Sequence, residues 1–204
     1  MLVGDPQQLK PVILLDELTN RKLRRKYHVA DEYDYRENSI YKTYLACDAV
    51  SDEILLRNHY RCNKKIIDFN NKKYYNSKLQ VQSDSRERQP LVYVNVDGGP
   101  GDMKNTSPAE VEEIMRYAGE NPDKSIAVIT PFVNQRILIE RGIKENGFEH
   151  VVCGTVHAFQ GDEKDVVLFS TALSDRTGKG TYDWLKNNKE LINVATSRAK
   201  DKLI

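Results

Sequence analysis

The segment Ile126-Ala127-Val128-Ile129-Thr130 is a near-continuous apolar run of strand length. Such runs are typical of strands that helices cover on both faces, because neither face then needs alternating polar residues. Residues 166–170 form a second such run, residues 91–96 are a third strand candidate, and residues 53–56 are a weaker fourth. Helical patterns at residues 63–76, 133–146 and 188–199 separate these runs. The alternation predicts an α/β fold with a parallel sheet.

A further helix is predicted after residue 106, where the start signal is the clearest in the chain. Ser107 is a suitable N-cap, Pro108 fits the first helical position, and Glu110 completes a capping box. Gly119 predicts the end of this helix. Before it, apolar residues recur at the spacing of one helical face: Val111, Ile114, Met115 and Ala118.

The composition excludes several classes of protein. No apolar run approaches the length of a membrane span, and the first residues lack the order of a secretory signal. We therefore expect a soluble, cytoplasmic protein without a membrane partner. Cys47, Cys62 and Cys153 lie far apart and lack zinc-site spacing, which argues against disulfides and structural metal. A net charge of +1 gives no global signature of nucleic-acid binding, so that function must rest on local sites.

Five short segments carry the chemistry, in a fixed order. They are GDPQQLKPV (4–12), NHYRC (58–62), ITPF (129–132) with Gln135, TVHAFQGDEKD (155–165) and NVATSRAK (193–200). Together they resemble motifs III and IV, the intervening TPY segment, and motifs V and VI of the 5′-to-3′ branch of superfamily 1 helicases. This branch contains the nonsense-mediated decay helicase. The resemblance covers nearly the whole chain, and the last two strings are the most specific.

The resemblance implies a RecA-like parallel sheet with helices on both faces, the second lobe of a helicase, which lacks the P-loop. Residues 1–13 would be a remnant of the first lobe, residues 14–52 a connector, and residues 53–204 the second lobe, truncated at its C-terminal end. The connector holds a basic run at 21–26 and an acidic run at 31–37. We interpret these runs as solvated surface in preference to a specific nucleic-acid contact.

The same resemblance implies catalytic roles for Arg61, Arg198 and Gln8. ATP would bind between two lobes, where cations must meet the charge that develops on the transferred phosphoryl group. Arg61 and Arg198 match the arginines of motifs IV and VI, and a guanidinium stays charged while offering a planar fork to phosphate oxygens. The alternative for each is a surface or intradomain ion pair. Gln8, in preference to Gln7, matches the glutamine that senses the γ-phosphate.

Three further residues match positions that hold the nucleoside. Tyr60 matches an aromatic residue that stacks on adenine, with a core tyrosine as the alternative. Glu163 matches the acid that accepts hydrogen bonds from ribose hydroxyls, and Gly161 lies in the same Gln-Gly-x-Glu string.

Nucleic acid is expected at the carboxyl ends of the strands, where open α/β sheets bind ligands. Thr130 and Thr155 each end a strand, and a hydroxyl there can hold a phosphate without reading sequence. Pro131 belongs to the same segment as Thr130. His157 stands where many relatives carry Asp or Asn, so either a positioning role or a purely structural one is open.

The chain contains no Walker A loop and no Walker B acid. Residues 177–181 (TGKGT) lack the phosphate-loop spacing, and we predict a surface loop there. The ligands of Mg²⁺ are expected in a missing first lobe, which would be an obligatory partner, and this chain alone is predicted to be inactive.

The leading hypothesis is the C-terminal half of an ATP-dependent helicase that moves along nucleic acid, with DNA favoured over RNA. The alternative is an inert nucleic-acid-binding or regulatory module with a helicase-derived fold. A small-molecule α/β enzyme would need a catalytic cluster that the sequence lacks.

Overall fold

The computed structural model describes residues 3–9, 13–47, 52, 54–85, 87–99, 101–159 and 161–204. The chain divides into two units, Met1–Leu55 and Leu56–Ile204. Residues 1, 2 and 10–12 of the predicted first-lobe remnant, residues 48–51 of the connector, residue 53 of the weakest strand candidate and residue 160 of the TVHAFQGDEKD string lie outside the described residues. Within the described part, no helix is long and apolar enough to cross a membrane.

The first unit contains two helices, α1 (Glu17–Tyr27) and α2 (Ile40–Cys47), and a 3₁₀ turn at Asp31–Tyr33 between them. Asp16 caps α1 by accepting a hydrogen bond from the Thr19 N–H. The charge runs explain the fold of this unit, because Arg24 of the basic run pairs with Asp34 of the acidic run at 2.6 Å and also contacts Asp31. Part of each run is therefore paired within the unit and is not simply solvated.

The second unit is built on a four-stranded parallel sheet in the order β4-β3-β5-β6. The strands are β3 (Ile126–Thr130), β4 (Val151–Thr155), β5 (Lys164–Phe169) and β6 (Ala199–Leu203). All three pairings are parallel, with Thr130 opposite Thr155 at the carboxyl ends and Lys164 opposite Ala199 at the amino ends. A separate parallel pair joins β1 (Asn58–His59) to β2 (Gln80–Val81).

Helices cover both faces of this sheet. The helices of the second unit are α3 (Lys64–Tyr74), α4 (Pro108–Glu120), α5 (Val133–Asn146), α6 (Lys179–Asn187) and α7 (Lys189–Thr196). On one face, Ile114 of α4 and Ile139 of α5 pack with Val128 of β3 in one apolar cluster. On the other face, α7 contacts β5 and β6. The predicted α/β fold with a parallel sheet is confirmed.

The apolar runs predicted the two central strands well. The run at 126–130 is β3, and the run at 166–170 overlaps β5. The strand predicted at 91–96 is wrong: only Leu91 forms a bridge, to Leu203, and Tyr93 is largely exposed. Residues 54–57 form no regular structure. The apolar runs predict no range for β4, although Thr155 ends this strand as expected. Its residue Gly154 breaks the apolar pattern that would have indicated it.

The helices at 63–76 and 133–146 are confirmed, with α5 matching its prediction residue for residue. The helix predicted at 188–199 is wrong in its bounds. Asn188 separates α6 from α7, and its side-chain amide donates to the Trp184 carbonyl. Residues 179–181, predicted as surface loop, begin α6, and Ala199 begins β6 because that segment pairs with β5.

Ser107 caps α4 as predicted, with its hydroxyl accepting from the Glu110 N–H. The capping box is wrong. The Ser107 N–H donates to Gln135 at 2.8 Å, while the Glu110 carboxylate accepts from the Ser170 hydroxyl at 2.6 Å and the Ala172 N–H at 3.1 Å. Gly119 lies inside α4, which ends at Glu120.

Candidate functional site

The predicted nucleotide residues of motifs IV, V and VI meet at the amino ends of two neighbouring strands. Glu163 directly precedes β5 and Arg198 directly precedes β6, while Arg61 follows β1. The Arg61 Nε lies 2.5 Å from Glu163 Oε2, and the Lys200 Nζ lies 3.1 Å from Glu163 Oε1. One carboxylate thus bridges two cations that are far apart in the chain.

Backbone contacts fix motif IV against motif VI. The Asn63 N–H donates to the Lys200 carbonyl at 2.7 Å, and the Arg61 Nη1 donates to the Ser197 carbonyl at 3.4 Å. The thiol of the buried Cys62 donates to the same Ser197 carbonyl at 3.3 Å, and burial raises its pKa to about 12. A thiol held in its neutral form makes Cys62 a packing residue and not a nucleophile.

Arg198 is almost fully buried, with 3% of its surface exposed. Its guanidinium donates to the carbonyls of Val194 at 3.1 Å and Asp162 at 3.4 Å. Among the described residues, no carboxylate forms an ion pair with it. Burial, followed by the nearby Arg61, lowers the pKa of Arg198. The intradomain ion-pair alternative therefore holds for Arg61 and fails for Arg198.

The charge of Glu163 is stabilised by its partners. Burial raises its pKa, but the hydrogen bonds and charges of Lys200 and Arg61 outweigh burial, so that its pKa lies below the ordinary value. Glu163 is therefore ionised at neutral pH and keeps both cations close to Arg198.

The remaining nucleotide candidates lie on the surface. The ring of Tyr60 is 69% exposed, which contradicts the alternative of a core tyrosine. Gly161 has φ +94°, a conformation that favours glycine, and it is exposed two residues before Glu163. In the other unit, the Gln8 side chain donates to Asp5 at 3.1 Å and closes a tight turn. No group of His, Cys, Asp or Glu among the described residues could hold a metal ion.

The predicted nucleic-acid residues lie at the opposite, carboxyl edge of the sheet. Thr130 and Thr155 are register partners, Pro131 follows Thr130, and His157 is exposed in a 3₁₀ turn after β4. Thr130 is fully buried, and its hydroxyl accepts from the Phe132 N–H at 3.3 Å. Thr155 is half-buried and is therefore the more accessible of the two hydroxyls.

A cleft of about 880 Å³ opens at this carboxyl edge. Pro131 and Phe132 form its floor, the loop at 101–106 forms one wall, and the loop at 174–178 with α6 forms the other. Trp184 of α6 faces Phe132, with ring centroids 6.0 Å apart. The sequence motifs do not predict a site at these walls.

Residues 36–204 match the AAA domain family. The chain belongs to this family. Its relatives include two mouse proteins, "3'-5' exoribonuclease HELZ2", 27% identical over 247 positions, and "RNA helicase Mov10l1", 27% identical over 242 positions. Both alignments take in 100% of this chain but only 8% and 20% of those relatives. The C-terminal domain of a possible DNA helicase from Lactobacillus plantarum WCFS1 is 16% identical, with a TM-score of 0.46, over 71% of this chain and 84% of that one.

This AAA domain is a superfamily 1 helicase domain of the 5′-to-3′ branch, as the five motifs predicted. The structure brings Arg61, Glu163 and Arg198 of these motifs close together. The motifs missed Lys200, although it stands two residues after Arg198 in the same string. The motifs also missed Arg176 and Trp184. In the sequence, these residues stand out only as a basic residue and a single tryptophan near a glycine-rich turn.

Proposed function

We propose that this AAA domain forms the second RecA-like lobe of an ATP-dependent helicase and supplies arginine fingers and part of the nucleic-acid track. The whole protein would translocate along nucleic acid and separate its strands. The chain spans no more than about a third of the helicase relatives described above and of a related archaeal protein, the "Uncharacterized ATP-dependent helicase MJ0104" of Methanocaldococcus jannaschii, of which it covers 31%. The proposal therefore concerns the full polypeptide that contains this chain.

The observation that carries the proposal is the buried Arg198 guanidinium, which has no carboxylate partner among the described residues. Burying an unpaired cation is costly, and proteins accept that cost mainly where the charge is used. Two arginines and a lysine meet here within one small cluster, and a γ-phosphate is an anion that Arg61 and Arg198 could grip together. Glu163 would keep Arg61 aligned until a phosphate competes for it.

The exposed ring of Tyr60 adds a surface on which adenine could stack next to this cluster. Ribose hydroxyls could reach Glu163, which has two carboxylate oxygens and therefore spare acceptor sites. Gln8 would sense the γ-phosphate. Mg²⁺ would be held by residues of the first lobe that carry the Walker A and Walker B motifs.

Nucleic acid would cross the carboxyl edge, where Thr155, Pro131 and His157 lie. This edge is opposite the arginine cluster, so the two ligands would not compete for one surface. We propose a preference for DNA and a cytoplasmic location, both on the sequence alone.

An inert binding or regulatory module is the second candidate function. It would bind nucleic acid at the carboxyl edge without using the arginines. The retained set of Arg61, Glu163 and Arg198 favours the motor.

The test is ATP hydrolysis by the full polypeptide, with and without single-stranded DNA or RNA. Removing an arginine finger typically costs about 10³- to 10⁵-fold in rate. We expect Arg198→Ala to lose nucleic-acid-stimulated hydrolysis on that scale, whereas Arg141→Ala keeps it. Arg141 is a matched control because it pairs with Glu145 on the exposed side of α5. Equal rates for Arg198→Ala and the unaltered protein would reject the finger assignment, and absence of hydrolysis in the unaltered polypeptide would favour the inert module.

A further inference from the structure

The cleft at the carboxyl edge combines an aromatic surface with cations. Trp184 remains 43% exposed while one side of it rests against the buried Phe132, at an interplanar angle of 36°. Lys104 and Arg176 line the same cleft, and among the described residues neither forms an ion pair. Asp102 is the acidic residue of the described lining, so the cations are in excess there.

Hydrogen bonds hold both walls of the cleft in place. In the first wall, the Thr106 hydroxyl donates to the Met103 carbonyl at 2.6 Å, and the Asn134 side chain donates to the Lys104 carbonyl at 3.0 Å. In the second wall, the Ser174 N–H donates to the Thr177 hydroxyl at 2.8 Å. The walls are therefore preorganised, which reduces the entropy lost when a ligand binds.

A buried polar network supports the floor from below. Gln135 donates to the Ser170 hydroxyl at 2.9 Å, and that hydroxyl donates to Glu110 at 2.6 Å. Glu110 also accepts from the Ala172 N–H, in a residue with the unusual φ of +47°. This network fixes the chain directly after β5, where it leads into the loop at 174–178 and then α6.

We propose that Trp184 is a stacking platform for an unpaired base of single-stranded nucleic acid, with Arg176 and Lys104 contacting the phosphates on either side. The inference rests on the proposed function and adds a base contact to a track otherwise made of backbone contacts. Every nucleobase has a π-face, so stacking on Trp184 tolerates any sequence, as a moving protein requires. A duplex does not offer a free base face, which makes the site selective for single strands.

The cleft has room for this ligand, because its volume of about 880 Å³ lies within the roughly 300–1,000 Å³ of small-molecule sites. Trp184 is also the one tryptophan of the chain. Its fluorescence therefore reports on this site alone, and stacking of a base on the indole quenches it.

The experiment titrates the 204-residue chain at low salt with single strands of about 12 nucleotides, as DNA and as RNA, because site sizes of such grooves are about 4–16 nucleotides. We expect saturable quenching of Trp184 by both strands, none by a blunt duplex of equal length, and weaker quenching by a strand with abasic sites.

Binding of the variants is measured by the anisotropy of a labelled strand, and Trp184→Ala should weaken binding about tenfold or more. Trp184→Phe should restore most of it, and Tyr93→Ala, an exposed aromatic residue outside the cleft, should match the unaltered chain.

Replacing Lys104 and Arg176 together by alanine should reduce the slope of log affinity against log salt by about 1.4, because each phosphate contact on a single strand contributes about 0.7.

If the chain binds the strand with unchanged tryptophan fluorescence, and Trp184→Ala binds as the unaltered chain does, the inference is overturned while the proposed function stands. Undetectable binding by the chain would also overturn it, even if the full polypeptide shows nucleic-acid-stimulated ATP hydrolysis. Loss of that hydrolysis in the unaltered polypeptide, with quenching intact, would overturn the proposed function alone.

Discussion

Arg61 and Glu163 form an ion pair of 2.5 Å although they are 102 positions apart in the chain. The contact joins the segment after β1 to the segment before β5, and Lys200 shares the same carboxylate at 3.1 Å. Motifs IV, V and VI are thereby held in one cluster by side chains as well as by the backbone. In this arrangement Arg61 is neutralised by an internal partner, so a phosphate would have to compete with Glu163 for it.

Glu163→Gln tests how this cluster depends on pH. The folded pKa of Glu163 is lowered, so the stability that its charge contributes is present above the ordinary pKa of 4.5 and is lost as pH falls through the folded pKa. The side chain is 38% exposed, so its loss at neutral pH should cost less than about 1 kcal/mol of unfolding free energy. Denaturant unfolding between about pH 7 and about pH 3 should show a shallower decline for Glu163→Gln.

Glu149→Gln is the control for this measurement, because Glu149 is exposed and forms no ion pair among the described residues. Identical declines for the unaltered chain and Glu163→Gln would show that the ion pair does not stabilise the folded state.

Asn70 is predicted to be essential for the packing of α3 on α7. It is fully buried, and its amide lies 2.7 Å from Asn193 Oδ1 and 2.8 Å from Thr196 Oγ1. Removing it takes away these buried hydrogen bonds, and the loss of a partner in a buried site costs about 1–3 kcal/mol. Asn70→Ala should therefore lower the unfolding free energy by about 2 kcal/mol or more in denaturant titration. Asn187→Ala, at an exposed helix end, should change it by less than about 0.5 kcal/mol, and equal effects would contradict the prediction.

The central strands and the arginine cluster could be predicted because their information is local. A near-continuous apolar run such as 126–130 predicts a strand without information on neighbouring strands. Arg61 and Arg198 are identified by their positions within the motif strings. The predictions of secondary structure failed where contacts between distant segments determine the structure. The helix predicted at 188–199 extends three residues beyond the observed end of α7 at Thr196, because the segment from Ala199 pairs with β5 and satisfies its backbone there.

The cleft could not be predicted for a related reason. Lys104 and Trp184 lie 80 positions apart. Lys104 precedes α4 and Trp184 lies in α6, and only the folded arrangement of these elements brings the two residues to one cleft. Glu110 was assigned to a local capping box because the sequence spacing fits one. In the structure its carboxylate instead serves Ser170 and Ala172, since burial beside β5 offered these donors.

Glu110→Gln should change stability with the opposite pH dependence to Glu163→Gln. Burial raises the pKa of Glu110 and outweighs the hydrogen bonds from Ser170 and Ala172. An acid with a raised folded pKa is most stabilising below its unfolded pKa, and that advantage is lost as pH rises through the folded pKa. A neutral glutamine can still accept both hydrogen bonds. The unfolding free energy of Glu110→Gln, relative to that of the unaltered chain, should therefore be higher at about pH 7 than at about pH 4. A constant difference across this range would contradict the prediction.

The 204-residue chain should hydrolyse no measurable ATP by itself, with or without nucleic acid. Its sequence has no P-loop lysine to cradle the phosphates, and its described residues offer no cluster to hold a metal ion. A phosphate-release assay on the purified chain checks this, with the full polypeptide as the positive comparison. Turnover that survives repurification, and that Arg198→Ala abolishes, would show that this lobe can complete an active site without the other.

Gly154 and Gly180 should respond in opposite directions to replacement by alanine. A Cβ on Gly154 would lie 2.9 Å from Cε2 of Phe159 and 3.0 Å from Cβ of Ala158, so motif V would have to shift away from β4. Overpacking of this kind costs about 1–3 kcal/mol, more than the roughly 0.4–1 kcal/mol gained from a less flexible unfolded chain. Gly180 lies in α6 with open space around its Cβ position, so alanine there should stabilise by up to about 1 kcal/mol. Thermal and denaturant unfolding of the two variants measure these changes in stability. A stabilised Gly154→Ala would contradict the prediction and would mean that Phe159 moves freely and that motif V is not held by β4.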